Sequence, residues 1–428
     1  MNSKYTLQKL ANGIRLLSVP QHNTKAVTIM AFFPVGSRYE HKKINGLSHF
    51  IEHLMFKGTS RRPTTFDLTR ELDSLGAEYN AFTGKDHTAY YIKVSAEKLL
   101  SALDLLQDML WQSLFDAKEI EREKGVVIEE INMYTDNPTM VIEEYFEELI
   151  YPGNSLGWYI GGTPEVIRGI TRAEVVSYRD CFYRPDQMLL TVAGAVSGSA
   201  LAQVKKTVAS LAGVKSAQTP SFNRVLIKKE VSISERCTIK FKETDQAHLV
   251  LGYPGINYDD RRGPALAVLN TLFGGLMSSR LFIAVREKRG LAYMIRSSSS
   301  PYKDVGSFYV QAGLDKQRVE EAIQVILEEI HSLTLVGPTV EEVKRAKDYL
   351  TGRLVLSLED SSDLANWYAK QAALMKRTET PEERLAKIKK VTVNDVAKVA
   401  KEIFKKDQLR LVILGPYKDK VRFLKLMK

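Results

Sequence analysis

The sequence predicts an α+β protein of two homologous domains, each a mostly antiparallel sheet with helices packed on one face. Three observations carry this reading. The chain has 428 residues, 44% of them hydrophobic and 26% charged. That is too long for one ordinary core and too apolar for a disordered chain. The chain repeats itself once. Its strand and helix patterns also alternate without the regular βαβ spacing of a parallel sheet.

The elements follow in chain order. Thr6–Pro20 reads as a hairpin turning at Asn12-Gly13. Ala26–Gly36 is a continuous apolar run and reads as a buried strand. Asn45–Phe56 is helical, as is Ala96–Ser113, whose Leu99, Leu100, Leu103, Leu106, Met109 and Leu110 recur at helical spacing. Glu121–Tyr134 reads as a further helix. Ile170–Tyr183 and Val391–Phe404 then match each other: a β-branched residue, Thr, two residues, an acid, helical apolar spacing and a closing aromatic. The strands after them carry Asp186-Gln187 and Asp407-Gln408, 221 residues apart, the same offset as the helices. Lys118–Lys124 resembles Glu341–Lys347, and Tyr91–Ser95 resembles Phe308–Ala312.

A period of half the chain implies two copies of one domain. A solenoid would repeat every roughly 20–50 residues. The expected division is a first domain over 1–212, a linker over 213–232 and a second domain over 233–428. The linker segment Gly213–Ser232 has the Ser, Thr and Lys content, with Pro220, of a connector.

Composition narrows the function. The net charge is +10, from 61 basic and 51 acidic residues, but the charges are interspersed, and no basic stretch carries stacking aromatics. Nucleic acid is therefore not an expected partner. No apolar run approaches the roughly 18–20 residues of a membrane helix. The N-terminal residues lack the apolar core of a signal peptide, so a cytoplasmic protein is expected. The 2 cysteines, Cys181 and Cys237, offer neither a disulfide framework nor a zinc ribbon.

The 7 histidines include His49 and His53, with Glu52 between them, inside a helical stretch. Positions four apart share a helix face, so two imidazoles converge beside a carboxylate. This is HxxEH, the inverse of the HExxH zinc-peptidase order. With so few histidines, a chance occurrence has odds on the order of one in a hundred. The types suit the chemistry: neutral nitrogens for zinc (Zn2+), and a carboxylate near the metal-bound water that does not itself ligate.

A catalytic zinc site needs a third protein ligand. Glu121, Glu123, Glu129 and Glu130 share one helix. Glu123 and Glu130 are two turns apart on one face, and Glu129 points about 100° away. Spacing alone leaves open whether these are ligands or solvated acids.

The HxxEH motif, the glutamate 77 residues after His53, and the run Arg122-Glu123-Lys124-x-Val126-Val127-x-x-Glu130 together resemble the pitrilysin/insulysin (insulinase) family of inverted-motif zinc metallopeptidases. The likeness spans nearly the whole chain. It points to the short branch that includes the mitochondrial processing peptidase subunits and their bacterial relatives. The resemblance implies Glu130 as third ligand, Glu52 as general base and Glu123 as a supporting residue. It implies no zinc in the second half, where the counterpart of Glu130 falls near Arg353. It also implies that Asn80-Ala81-Phe82-Thr83 is a sheet edge to which a peptide substrate adds as an extra strand. His87, close by, is expected to be an exposed loop residue. In the second half it implies a substrate loop at Gly274-Gly275 and a substrate-holding pair, Arg286 and Tyr293. Alone, that pair is a very weak signal, better read as a surface arginine and a core tyrosine. One departure is Gly153–Gly157, where relatives often carry a histidine of no catalytic role.

The implied activity is a zinc endopeptidase that cleaves extended or unfolded peptides inside a chamber. The implied assembly is a homodimer in which Arg286 and Tyr293 of one copy complete the zinc site of the other, with a heterodimer as the alternative. Two other functions fit the family: a catalytically idle partner subunit and a presequence-processing peptidase. Idle subunits usually lack parts of the motif, all of which are present here.

Overall fold

The computed structural model describes residues 5–211, 220–227 and 231–428. Half of the expected linker over 213–232 lies outside them. Two sheets organise the chain. The first holds β1 (Thr6–Lys9), β2 (Arg15–Pro20), β3 (Ala26–Phe33), β4 (Glu78–Thr83), β5 (Thr88–Ser95) and β6 (Leu189–Gly194), in the order β1-β2-β6-β3-β5-β4. The second holds β7 (Cys237–Phe241), β8 (Gln246–Pro254), β9 (Ala292–Pro301), β10 (Gly306–Asp315) and β11 (Arg410–Gly415), in the order β7-β11-β8-β10-β9. The α+β class therefore holds.

The two sheets share one connectivity. β2 pairs with β6, and β7 with β11, in parallel; every other pairing is antiparallel. The 221-residue offset is visible in detail. Helices Arg172–Phe182 and Val393–Ile403 both start from a capping box, on Thr171 and Thr392, and β6 and β11 follow at the same spacing.

Strand β3 stops at Phe33, just before Pro34. Its Val27, Ile29, Ala31 and Phe33 enter one core with Phe50, Ile51 and Leu103. The alternate residues Thr28, Met30 and Phe32 are buried too, because helix Ser361–Leu374 packs on the far face and Ser361 Oγ lies 2.8 Å from Thr28 Oγ1. The second sheet is treated alike. Leu249, Leu251, Val310 and Ile413 face its main core. Val250, Tyr309, Val412 and Leu414 meet Val141, Ile142, Phe146 and Ile150 of helix Pro138–Ile150.

Each sheet thus gains one helix on its second face, from the opposite half of the sequence. A continuous apolar strand needs cover on both sides. One compact unit therefore comprises Met1–Asn132, Tyr159–Asn223 and Val355–Pro381; the other comprises Met133–Trp158, Arg224–Leu354 and Glu382–Lys428. The contiguous division expected from the repeat does not contain this exchange, since both helices cross it. Among the described residues no helix is long and apolar enough to cross a membrane.

Candidate metal centre

The helix bearing HxxEH runs over Leu47–Leu54, shorter than the expected Asn45–Phe56. Gly46 adopts φ +100°, which only glycine takes without strain, and a Cβ there would stand 2.5 Å from the Gly161 carbonyl oxygen. Leu47, Phe50, Ile51 and Leu54 face the core. His49, Glu52 and His53 take the other side. Glu40 seals the helix start: its carboxylate accepts from the backbone N–H of Gly46 and of Ser48, both at 2.7 Å, and from the Asn45 amide at 3.1 Å. Burial pushes its carboxyl up to about 7, against those hydrogen bonds. An anion at this end also complements the helix dipole.

Helix Ala117–Asp136 presents Glu123 and Glu130 to the histidines. His49 Nε2 and His53 Nε2 lie 3.3 Å apart. Glu130 Oε2 lies 3.3 Å from His53 Nε2 and 3.6 Å from His49 Nε2. Donors around a tetrahedral zinc at about 2.0–2.1 Å stand about 3.3–3.4 Å from one another, so the triangle fits the ion. Among the described residues this is the one group of three or more His, Cys, Asp or Glu side chains that could hold a metal. Glu121 and Glu129 are exposed on other faces.

A second tier fixes the imidazoles. His53 Nδ1–H donates to Glu123 Oε1 at 2.8 Å, which leaves Nε2 for the metal. Glu123, 2% exposed, also receives the Lys57 ammonium at 2.7 Å. Burial opposes its ionisation, but hydrogen bonds from His53 and Lys57 outweigh that and hold its carboxyl below the ordinary range. Burial also works against a charge on His53, yet Glu123 and Glu130 prevail and lift it to about 9. His49, lacking such a partner, falls to about 4 through burial and the neighbouring His53 charge. Hydrogen bonding to His53 holds Glu130 low.

Glu52 is half-buried. Burial raises its carboxyl, Glu130 adds to this, and Thr83 and His53 oppose it. Thr83 Oγ1 donates to Glu52 Oε2 at 2.6 Å. Thr83 ends β4, the edge strand carrying Asn80, Ala81 and Phe82. Gly84 N–H donates to His87 O across the hairpin. Counting back in twos, Phe82 and Asn80 bond to β5, while Tyr79, Ala81 and Thr83 turn their backbone groups to the open edge. The Ala81 N–H accordingly meets its neighbour's Asn80 Oδ1 at 2.9 Å. His87 is not an exposed loop residue as expected: its ring stacks on Phe32 at 5.0 Å and is half-buried.

Arg286 and Tyr293 belong to the other compact unit. The Arg286 guanidinium lies 5.6 Å from the Tyr293 ring centre, and Tyr293 is 77% exposed. Gly274 is the last residue of helix Gly263–Gly274, not part of an open loop. A Cβ there would meet the Ser297 backbone nitrogen at 2.4 Å, so its smallness lets the helix close on β9. Gly275, next to it, is exposed. Three residue roles beyond the sequence reading matter here. Lys57 had a readable signal, four residues after His53. Glu40 acts through hydrogen bonds to Asn45, Gly46 and Ser48, and Thr83 through one to Glu52 on a different element, contacts that no helix-spacing rule shows.

Residues 15–163 match the family model described as Insulinase (Peptidase family M16), and residues 169–350 match Peptidase M16 inactive domain. Two similar proteins are described as uncharacterized zinc proteases. One, from Bacillus subtilis, is 35% identical over 97% of this chain and 98% of its own. The other, from Streptomyces coelicolor, is 34% identical over 96% and 89%. A crystal structure of a protease from Helicobacter pylori has a TM-score of 0.90 at 25% identity, covering 97% of this chain and 100% of that one. A Pseudomonas fluorescens structure described as a peptidase M16 inactive domain, at 19% identity and TM-score 0.88, covers 97% and 98% and shares the fold.

Proposed function

This chain belongs to the insulinase family (peptidase family M16) and its cofactor is zinc; on that footing we propose that it is an endopeptidase hydrolysing peptide bonds in extended or unfolded chains. One observation carries the reading: three donor atoms at tetrahedral spacing, with the Glu52 carboxylate on the same helix turn. His49, His53 and Glu130 hold the ion. Bound zinc supplies a Lewis acid that lowers the pKa of water and polarises the scissile carbonyl. Glu52 takes the proton from the attacking water as its oxygen adds to the carbonyl carbon. The same carboxyl returns that proton to the leaving nitrogen as the C–N bond breaks. Glu123 keeps His53 in the ligating tautomer. The open edge of β4 pairs with substrate backbone, which demands an extended chain and little sequence. Arg286 and Tyr293 of a second copy donate to the substrate carbonyl and the developing oxyanion.

The test is metal analysis with cleavage of an unstructured peptide library. Wild-type protein should carry about one zinc per chain and cut flexible peptides. Glu52→Gln should keep the zinc and lose nearly all activity, and Glu130→Gln should lose the zinc. A zinc-loaded wild type that cuts nothing would favour the idle-subunit reading instead.

A further inference from the structure

We infer that Thr83 is a positioning residue for the general base, so that the strand receiving substrate also aims the carboxylate that activates water. The inference rests on the endopeptidase reading above and deepens it. The Thr83 hydroxyl donates to Glu52 Oε2 at 2.6 Å. Among the described residues, no hydrogen bond or ion pair engages Glu52 Oε1, which is left to accept the water proton. A glutamate side chain has three rotatable bonds and no preferred aim of its own. Here one oxygen is pinned and the other is directed.

The pin is itself rigid. Thr83 is β-branched, with few rotamers open to it, and its backbone lies in register with Thr88 at the end of β4. Thr88 is anchored in turn, its hydroxyl donating to the Val35 carbonyl at 3.0 Å. The side chains of Tyr79, Ala81 and Thr83 alternate onto the face of β4 that packs on helix Leu47–Leu54. The backbone groups of these three residues open onto the free edge. One residue therefore links two requirements of the reaction. Its main chain belongs to the row that an extended peptide would pair with, and its side chain sets the base. A substrate strand seated on the edge fixes Thr83 further and holds Glu52 in place at the moment of attack.

The zinc-loaded enzyme, assayed on an unstructured fluorogenic peptide, tests this with two variants. Thr83→Val keeps the shape and removes the donor; Thr83→Ser keeps the donor. Loss of a hydrogen bond to a charged group should lower kcat about 10- to 100-fold. KM should stay within about twofold and zinc per chain should be unchanged, because the edge backbone and the ligands are untouched. Thr83→Ser should recover to within about threefold of wild type. Three results overturn the inference alone: Thr83→Val at wild-type kcat, Thr83→Ser as impaired as Thr83→Val, or zinc lost from Thr83→Val, which would make Thr83 a support of the metal ligands. An inactive zinc-loaded wild type overturns the endopeptidase reading, and this inference with it.

Discussion

Zinc binding should release one proton from the protein at pH 6, and the structure sets that number. His53 sits at about 9, because the Glu123 and Glu130 carboxylates outweigh its burial. His49 sits at about 4, and hydrogen bonding to His53 keeps Glu130 below its ordinary value. The three ligands thus share one proton at pH 6, and a metal can bind only when it leaves. Apparent zinc affinity should rise about tenfold per pH unit between about pH 5 and pH 7. From pH 5 to pH 7 the gain is about 100-fold, or about 2.7 kcal/mol. Below about pH 4 the slope should approach two as His49 also takes a proton. The assay is competition against a chelator of known affinity across pH. Calorimetry in two buffers of different ionisation enthalpy counts the protons directly. Working at pH 6 keeps the zinc-bound water, with a pKa near 7, from adding a second. A flat profile would mean the ligands are already unprotonated. A release of two protons would mean that His49 is charged, and either result would refute the electrostatics argued here.

Three further outcomes are expected. Lys57→Met should weaken zinc affinity about tenfold in a chelator competition, because Glu123 loses the cation 2.7 Å away that helps fix it against His53; Lys57→Arg should recover most of that loss. Phe146→Ala should destabilise the second sheet by about 3–5 kcal/mol, since Phe146 is 1% exposed against Gly252 and Tyr309; hydrogen exchange in β8 and β11 should accelerate while β3 stays protected. Glu52→Gln and Tyr293→Phe should each be nearly inactive, yet co-expressed they should regain about a quarter of wild-type activity if copies pair freely across a twofold axis; confirmed mixed dimers as dead as both parents would place the whole site within one chain.

How much was legible depended on the range of the interaction. The shared face of His49 and His53, and that of Glu123 and Glu130, follow from helix periodicity, but joining the two pairs in one centre rests on the resemblance to the insulinase family. The repeat was equally readable, since capping residues Thr171 and Thr392 and the strands after them are local features. The exchanged helices were not. Val27–Phe33 is apolar at almost every position, which signals burial on both faces, but nothing in that run says that Ser361–Leu374 supplies the cover. His87 was misjudged for the same reason: loop position suggested exposure, and stacking on Phe32 depends on a strand more than fifty residues earlier. Glu40 and Thr83 are polar residues in unremarkable contexts, and their value comes from the atom each one meets.

The repeat also accounts for why, among the described residues, one half groups three side chains that could hold a metal and the other does not, without any change of fold. In the first half the first α-helix after β3, Leu47–Leu54, is amphipathic: one face is buried and the other carries His49, Glu52 and His53. In the second, the helix between β8 and β9 is Gly263–Gly274, and 8 of its 12 residues are buried, from Ala265 to Gly274. A helix apolar nearly all round commits its surface to packing and has no polar face left to aim at an ion. Gly274 completes that commitment by letting the helix meet β9 at a distance no side chain permits. By the match of Lys118–Lys124 with Glu341–Lys347, the counterpart of Glu130 falls near Arg353 on helix Val340–Ser357, a cation where the first half has a carboxylate. Restoring a metal site there would require a polar face, a carboxylate and a looser contact at Gly274 together. Because each is useless without the others, single substitutions in the second half should not create zinc binding, and the two halves stay committed to different tasks on one architecture.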